Sequence, residues 1–253
     1  MAEALIKGIA FKHAGDIMVS EPREDRRAYL EKTYGIKTTP DNKEVVKNCN
    51  IIILAVKPQN MDEVTTEISD IISSDKLVVS IAAGITLSYL SSRLKTTKII
   101  RVMPNTPALI QEGMSVMSMC ECIHDKEMGL VKDIFMSVGR LMMLPERYMD
   151  TVTALSGSGP AFFAYFLETM IEGGIKMGLG SNDAAELAVQ TFLGTAKLLD
   201  TGMPPSKLRE MVTSPGGTTA AGLKVFEEKG LKDIVTATIE AAANRSKELG
   251  RKE

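Results

Sequence analysis

The feature that most constrains this chain is a change of hydrophobic period near Leu144. Before it, short continuous apolar runs alternate with amphipathic stretches; after it, every segment repeats at helical spacing. The runs in DIMVS, NIIILAVKP, KLVVSIAAG and KIIRVMPNTP are unbroken rather than alternating, as burial on both faces of a parallel sheet requires. Between them lie helical stretches such as PREDRRAYLEKTYG, opened by Pro22 and stopped by Gly35. Strand, helix, strand at this spacing predicts right-handed βαβ units and so a doubly wound parallel sheet. GMSVMSM and RLMML add two strand-like segments around the helical DKEMGLVKDIFMSVG.

After Glu146 only helices are predicted, punctuated cleanly by Pro and Gly. The expected division is therefore an α/β domain over residues 1–145 and an all-α domain over 146–253. Several of these helices are apolar on more than one face, Ala161 to Met170 especially. One subunit of this size hides only part of such surface, so helix packing between subunits is predicted, with a larger buried helix inside one chain as the alternative.

Composition removes several function classes. A net charge of −2 with scattered Lys and Arg offers no face for nucleic acid or an anionic membrane, and no apolar run is long enough to span a bilayer. Three cysteines, Cys49, Cys120 and Cys122, are sparse for a disulfide framework. With no signal-peptide pattern ahead of the first helix, they point to a reducing cytoplasm. MCECIH has no second Cys or His cluster to complete a metal site, so no metal is expected.

In an open parallel sheet, ligands bind beyond the carboxyl ends of the strands. Here those ends carry Ser20-Glu21-Pro22-Arg23, Ala55-Val56-Lys57-Pro58, Ala82-Ala83-Gly84 and Met103-Pro104-Asn105-Thr106. Small, proline-fixed and amide-bearing residues let a flat ring and a ribose lie against backbone, which favours a dinucleotide site over ordinary turns. Ser20 stands where an NAD-preferring site places an acidic residue, and with Arg23 it suits a 2′-phosphate and hence NADPH. Glu21 argues the other way, and a plain N-cap Ser beside a surface Arg accounts for the same residues.

The sharpest local feature is TSPGGTTAAGLKVFEE, residues 213–228. Gly216 and Gly217 leave backbone N–H groups unshielded at a helix start, and Ser214, Thr218 and Thr219 add hydroxyls, so an anion site is predicted. A small carboxylate fits it better than a nucleotide, because the loop lies in the helical half. LSGSGPAFF, 155–163, is a second such start.

From Ala2 almost to its end the chain resembles the pyrroline-5-carboxylate reductase family. ILAVKPQ, VMPNTPA, ALSGSGPAFF and LREMVTSPGGTTAAGL match that family's motifs in order and spacing. The resemblance implies a Rossmann-like NAD(P)-binding domain followed by a helical domain that interlocks two subunits, often in rings of dimers. It places Ser20, Asn42, Ala55, Lys57, Pro58, Ala82 and Asn105 along the cofactor, NADPH with NADH as the other option. It places Ser214, Gly217, Thr218 and Thr219 on the carboxylate and ring of 1-pyrroline-5-carboxylate, with Glu146 joining them. Reduction of that cyclic imine gives proline. A hydride enters an imine carbon readily only when the nitrogen is protonated or hydrogen-bonded, and Thr219 is the candidate that orients this proton.

Two rival readings stand beside this one. A β-hydroxyacid dehydrogenase carries a catalytic Lys on the helix after its glycine turn, whereas Pro160 to Ile175 contains none and Lys176 comes only after it. The other rival is a catalytically impaired, N-terminally truncated family member acting at most as a dimerising protein. The family opens with an apolar strand and a G-x-G-x-x-[GA] turn ahead of the helix that begins here at Ala2, and this sequence shows no such motif in its first fifty residues. The expectation is an open slot between strand edges, with poor solubility and weak NADPH binding.

Overall fold

The structure, a computed structural model, describes residues 1–13, 16–120 and 123–250. Cys122 lies outside them. The first compact unit comprises residues 1–158 and 240–253, the second 159–239. In the first, α1 (Ala2–His13), β1 (Met18–Ser20), α2 (Glu24–Tyr34), β2 (Lys37–Thr39), α3 (Asn42–Asn48) and β3 (Ile51–Leu54) alternate as the sequence predicted. The alternation continues through α4 (Met61–Ile68), β4 (Leu77–Ser80), α5 (Leu87–Arg93) and β5 (Ile99–Met103). Next come β6 (Gly113–Met119), α6 (Asp125–Met136), β7 (Gly139–Met143) and the short α7 (Met149–Val152).

The strands form two sheets rather than one. β1 pairs with β2, and β3-β4-β5-β6-β7 form the other sheet in that order. The expected all-parallel arrangement needs one correction, because β6 runs antiparallel to β5 while every other pair is parallel. The reason is length. The β5–β6 link holds only a 3₁₀ turn, Thr106–Ile110, which is too short for the crossover that a parallel return requires.

Apolar side chains on both faces explain the unbroken runs. Leu77, Val79, Ile100 and Val102 join one core with Val131 and Phe135 of α6. Their neighbours Val78 and Ile99 join Met61, Ile68 and Leu90 in the other. Gly35 ends α2 with φ 66°, the left-handed stop its position predicted. Cys120 is disulfide-bonded and Cys49 is free.

α1 is tied to α2 through Glu3, which accepts from Tyr29 Oη and Tyr34 Oη, each at 2.9 Å, and pairs with Arg26. The Arg26 hydrogen bond holds the Glu3 carboxyl below the usual carboxylate range. Burial, reinforced by Glu3, pushes the Tyr34 phenol up to about 12. A phenol whose folded value is raised favours folding fully below its ordinary value of 10.0 and loses that contribution as pH climbs through about 12. Urea unfolding across pH 9 to 12 is therefore expected to show a steeper loss for the native chain than for Tyr34→Phe. Equal slopes would remove Tyr34 from this role.

The second unit holds α8 (Gly159–Lys176), α9 (Ser181–Asp200), α10 (Pro205–Met211), α11 (Thr218–Glu228) and the start of α12 (Leu231–Gly250) as far as Ile239, the rest of α12 belonging to the first unit. Phe163 meets Phe192 at 5.6 Å between ring centroids, and Phe166 meets Phe226 at 6.3 Å. Among its described hydrophobic residues only Ala184 is fully buried, while Tyr165 is 69% and Met177 87% exposed. Helices this apolar with so little core need a covering surface. Among the described residues no helix is long and apolar enough to cross a membrane.

Candidate functional site

In the first unit, strand order sets the candidate cofactor edge. Because β3, β4 and β5 are adjacent and parallel, the loops leaving them, with Ala55 to Pro58, Ala82 and Asn105, lie in a row on one sheet edge. Ser20 ends β1. A cleft of about 1610 Å³ brings Ser20, Asn42, Ala55 and Val56 together, and its lining does not include Arg23, Lys57, Pro58, Ala82 or Asn105.

Local contacts show how the candidates are held. Glu21 accepts the N–H of Arg23 at 3.1 Å, so its carboxylate is engaged in its own turn. Arg27, which the sequence did not single out, donates to the carbonyls of Glu21 and Pro22 at 2.8 and 2.9 Å and fixes that turn. Arg23 pairs with Asp25 at 2.5 Å with both side chains exposed. Asn42, the first residue of α3, donates to Glu67 at 2.7 Å.

Asn105 links two motifs. Its Oδ1 accepts Met114 N–H at 2.8 Å, and its Nδ2 donates to Ser156 O at 3.1 Å. Ser156 lies in a π-helical turn, Thr153–Gly157, where a Cβ on Gly157 would sit 2.6 Å from Met103 Cε at the end of β5. VMPNTPA and ALSGSG, separate in sequence, are packed as one body.

Glu146 Oε1 accepts the N–H of Leu87 at 2.7 Å and pairs with Arg101 Nη1 at 3.3 Å. Leu87 begins α5, so Glu146 pins the loop that carries Ala82. The same loop is packed from another side, because a Cβ on Gly84 would lie 3.0 Å from Gly250 N at the end of α12. Arg101 was also missed. Its signal was a lone charge inside the apolar run KIIRVM, which a buried strand tolerates only with a partner.

The helical unit carries a candidate feature of its own. Gly217 N–H bonds to Ser214 O at 3.0 Å, and Gly216 has φ 71°. Ser214-Pro215-Gly216-Gly217 is thus a turn with Pro second and a left-handed Gly third, the pattern of a type II turn. A Cβ on Gly217 would meet Ser214 Oγ at 2.5 Å, so a larger residue here would have to turn the Ser214 hydroxyl aside. α11 starts at Thr218 with no side-chain cap, leaving its first N–H groups without protein partners. The hydroxyls of Thr218, Thr219 and Ser214 lie at the same turn.

The first unit thus carries a row of strand-end loops of the kind nucleotides use, and the helical unit a helix-start turn of the kind small anions use. Residues 1–84 match the family described as NADP oxidoreductase coenzyme F420-dependent, and residues 146–249 match pyrroline-5-carboxylate reductase dimerisation. Pyrroline-5-carboxylate reductase of Synechocystis is 40% identical over 100% of this chain and 96% of its own. Pyrroline-5-carboxylate reductase 3 of Macaca fascicularis is 40% identical over 100% of this chain and 93% of its own. Among solved structures, the Coxiella burnetii enzyme superposes with TM-score 0.90 at 33% identity, covering 99% of this chain and 95% of that one. Plasmodium falciparum pyrroline carboxylate reductase, solved with NADP bound, gives TM-score 0.87 at 32% identity, covering 98% and 94%. The chain belongs to the pyrroline-5-carboxylate reductase family. The match runs along the whole chain, which favours the catalytic reading over the merely dimerising rival.

Proposed function

We propose that this chain reduces the C=N bond of 1-pyrroline-5-carboxylate to give proline, with NADPH preferred over NADH. The observation that carries the reading is the Ser214–Gly217 turn, which opens the uncapped start of α11. The first-turn N–H groups and the hydroxyls of Ser214 and Thr218 bind the substrate carboxylate, as helix starts bind small anions. Gly217 keeps the approach clear. Thr219 places its hydroxyl on the ring nitrogen and holds the proton there; as a weak acid it orients that proton rather than supplying it.

The cofactor residues suit a 2′-phosphate. With Glu21 engaged in its own turn, Ser20 and Arg23 present a hydroxyl and a cation, and the exposed Arg23–Asp25 pair opens at little cost. Ala55 and Ala82 offer only methyl groups, while Asn42, Val56, Lys57, Pro58 and Asn105 complete the cofactor wall. When bound, the dinucleotide supplies the hydride. The protein contributes proximity and exclusion of water, which together account for most of the rate. Glu146 serves the substrate side by holding the Ala82 loop. The apolar helices of the second unit pair two subunits, and rings of such dimers belong to the same proposal.

Replacing Thr219 by Ala tests this reading. Turnover with 1-pyrroline-5-carboxylate is expected to fall tenfold or more while the melting temperature stays put. Unchanged kinetics would overturn the assignment, and running the assay with NADPH and NADH side by side measures the preference.

A further inference from the structure

Three arginines stand at the start of α2, and their surroundings differ. Arg23, the N-cap, is exposed and pairs with Asp25. Arg26 pairs with Glu3. Arg27 meets no carboxylate among the described residues. Glu31, one turn further on, accepts from Thr38 Oγ1 at 2.5 Å instead. Arg27 Nη1 donates to the carbonyls of Glu21 and Pro22, and the other guanidinium N–H groups find no acceptor among the described residues. The side chain is half-buried and belongs to the fourth residue of α2, where the positive end of the helix dipole disfavours a cation. A partly desolvated charge held by two neutral carbonyls, with donors to spare, calls for an anion.

The turn says where that anion lies. Glu21 and Pro22 directly follow Ser20, the last residue of β1. Glu21 N–H bonds to Thr39 O at 3.0 Å, so the turn is tied to β2 on one side and to Arg27 on the other. The guanidinium is thereby anchored to the backbone next to Ser20, at the strand end where a sheet of this kind reads the adenosine ribose.

We propose that Arg27 is the specificity-determining residue for the cofactor: its fixed guanidinium meets the 2′-phosphate of NADPH, with Arg23 as a secondary cation. The assignment rests on the reductase reading and its preference for NADPH. A guanidinium already held in place loses little freedom on meeting a phosphate, whereas Arg23 must first leave Asp25. A ribose with a free 2′-hydroxyl brings no charge to Arg27, so the same residue separates the two cofactors.

Calorimetric titration of the full chain with adenosine 2′,5′-bisphosphate and with 5′-AMP isolates the 2′-phosphate and needs no turnover. The native protein is expected to bind the bisphosphate about tenfold more tightly or better. Arg27→Gln keeps a donor for the turn carbonyls and removes the charge; it is expected to bring the two affinities within about threefold of each other. Arg27→Lys is expected to recover most of the preference, and Arg23→Ala to lower it by about threefold at most. A native preference in Arg27→Gln would overturn the assignment. So would a loss shared equally by both ligands, which would mean that Arg27 only holds the turn. Equal binding of the two ligands by the native protein would refute the NADPH preference and this assignment with it. Turnover of the imine with NADH would still decide the reductase reading on its own.

Discussion

Gly139→Ala is expected to cost on the order of 4 kcal/mol of stability, about a thousandfold in the folding equilibrium. Gly139 opens β7 and stands opposite Gly113 in the β6–β7 register. Its φ is 144°, a conformation that side chains rarely adopt. A Cβ there would lie 2.0 Å from Gly113 O and 2.4 Å from Gly113 N, both backbone atoms that no rotamer change can move. The strands would have to part, taking with them Val116 and Met117 at the centre of the sheet. Urea unfolding followed by circular dichroism measures the effect. A loss below about 1 kcal/mol would contradict the pairing of Gly113 with Gly139.

Glu146→Ala is expected to cost about 2–3 kcal/mol, because it leaves the Arg101 guanidinium buried without its counter-charge and Leu87 N–H without its acceptor. The Arg101 side chain is 4% exposed and that of Glu146 31%, so part of the loss is returned by water reaching the cavity. Glu146→Gln keeps an oxygen for Leu87 and is expected to lose less. The double variant Arg101→Met, Glu146→Leu is expected to recover most of the stability, since an apolar pair of similar size needs no counter-charge. Activity separates the roles. If Glu146 acts by holding the loop that carries Ala82, Glu146→Gln largely preserves the KM for the imine. A large rise in that KM with stability intact would place the carboxylate on the substrate instead.

Much of the fold was legible because its cause is local in sequence. The unbroken runs of β3, β4 and β5 announced burial on both faces, and Leu77, Val78 and Val79 now divide between two cores as that pattern demands. Pro22 and Gly35 marked a helix that the structure places at Glu24–Tyr34. The SPGG turn was legible too, since Gly216 at φ 71° meets a backbone constraint that few other residues satisfy. The antiparallel β6 was not legible. Its direction depends on whether the Pro104–Glu112 link has room to cross the sheet, and hydrophobic period carries no sign of direction.

The candidate site divides along the same line. Residue types and spacing alone singled out Ser20, Arg23, Ala55 to Pro58, Ala82 and Asn105 as strand-end residues, and Ser214 to Thr219 as an anion turn, because backbone conformation at strand and helix ends is set by nearest neighbours. Which partners hold those residues was decided only in three dimensions. Glu146 and Leu87 are 59 residues apart, Asn105 and Ser156 51, and Ser246 and Asp150, which bond at 2.6 Å, 96. Such pairs arise when packing brings two buried polar groups within reach, and each group then needs whichever partner the fold supplies. The sequence by itself determined the order of elements, their faces and the two chemical edges. The tertiary structure decided how the sheet divides, which strand turns back, and which distant side chains fix the loops where chemistry is to occur.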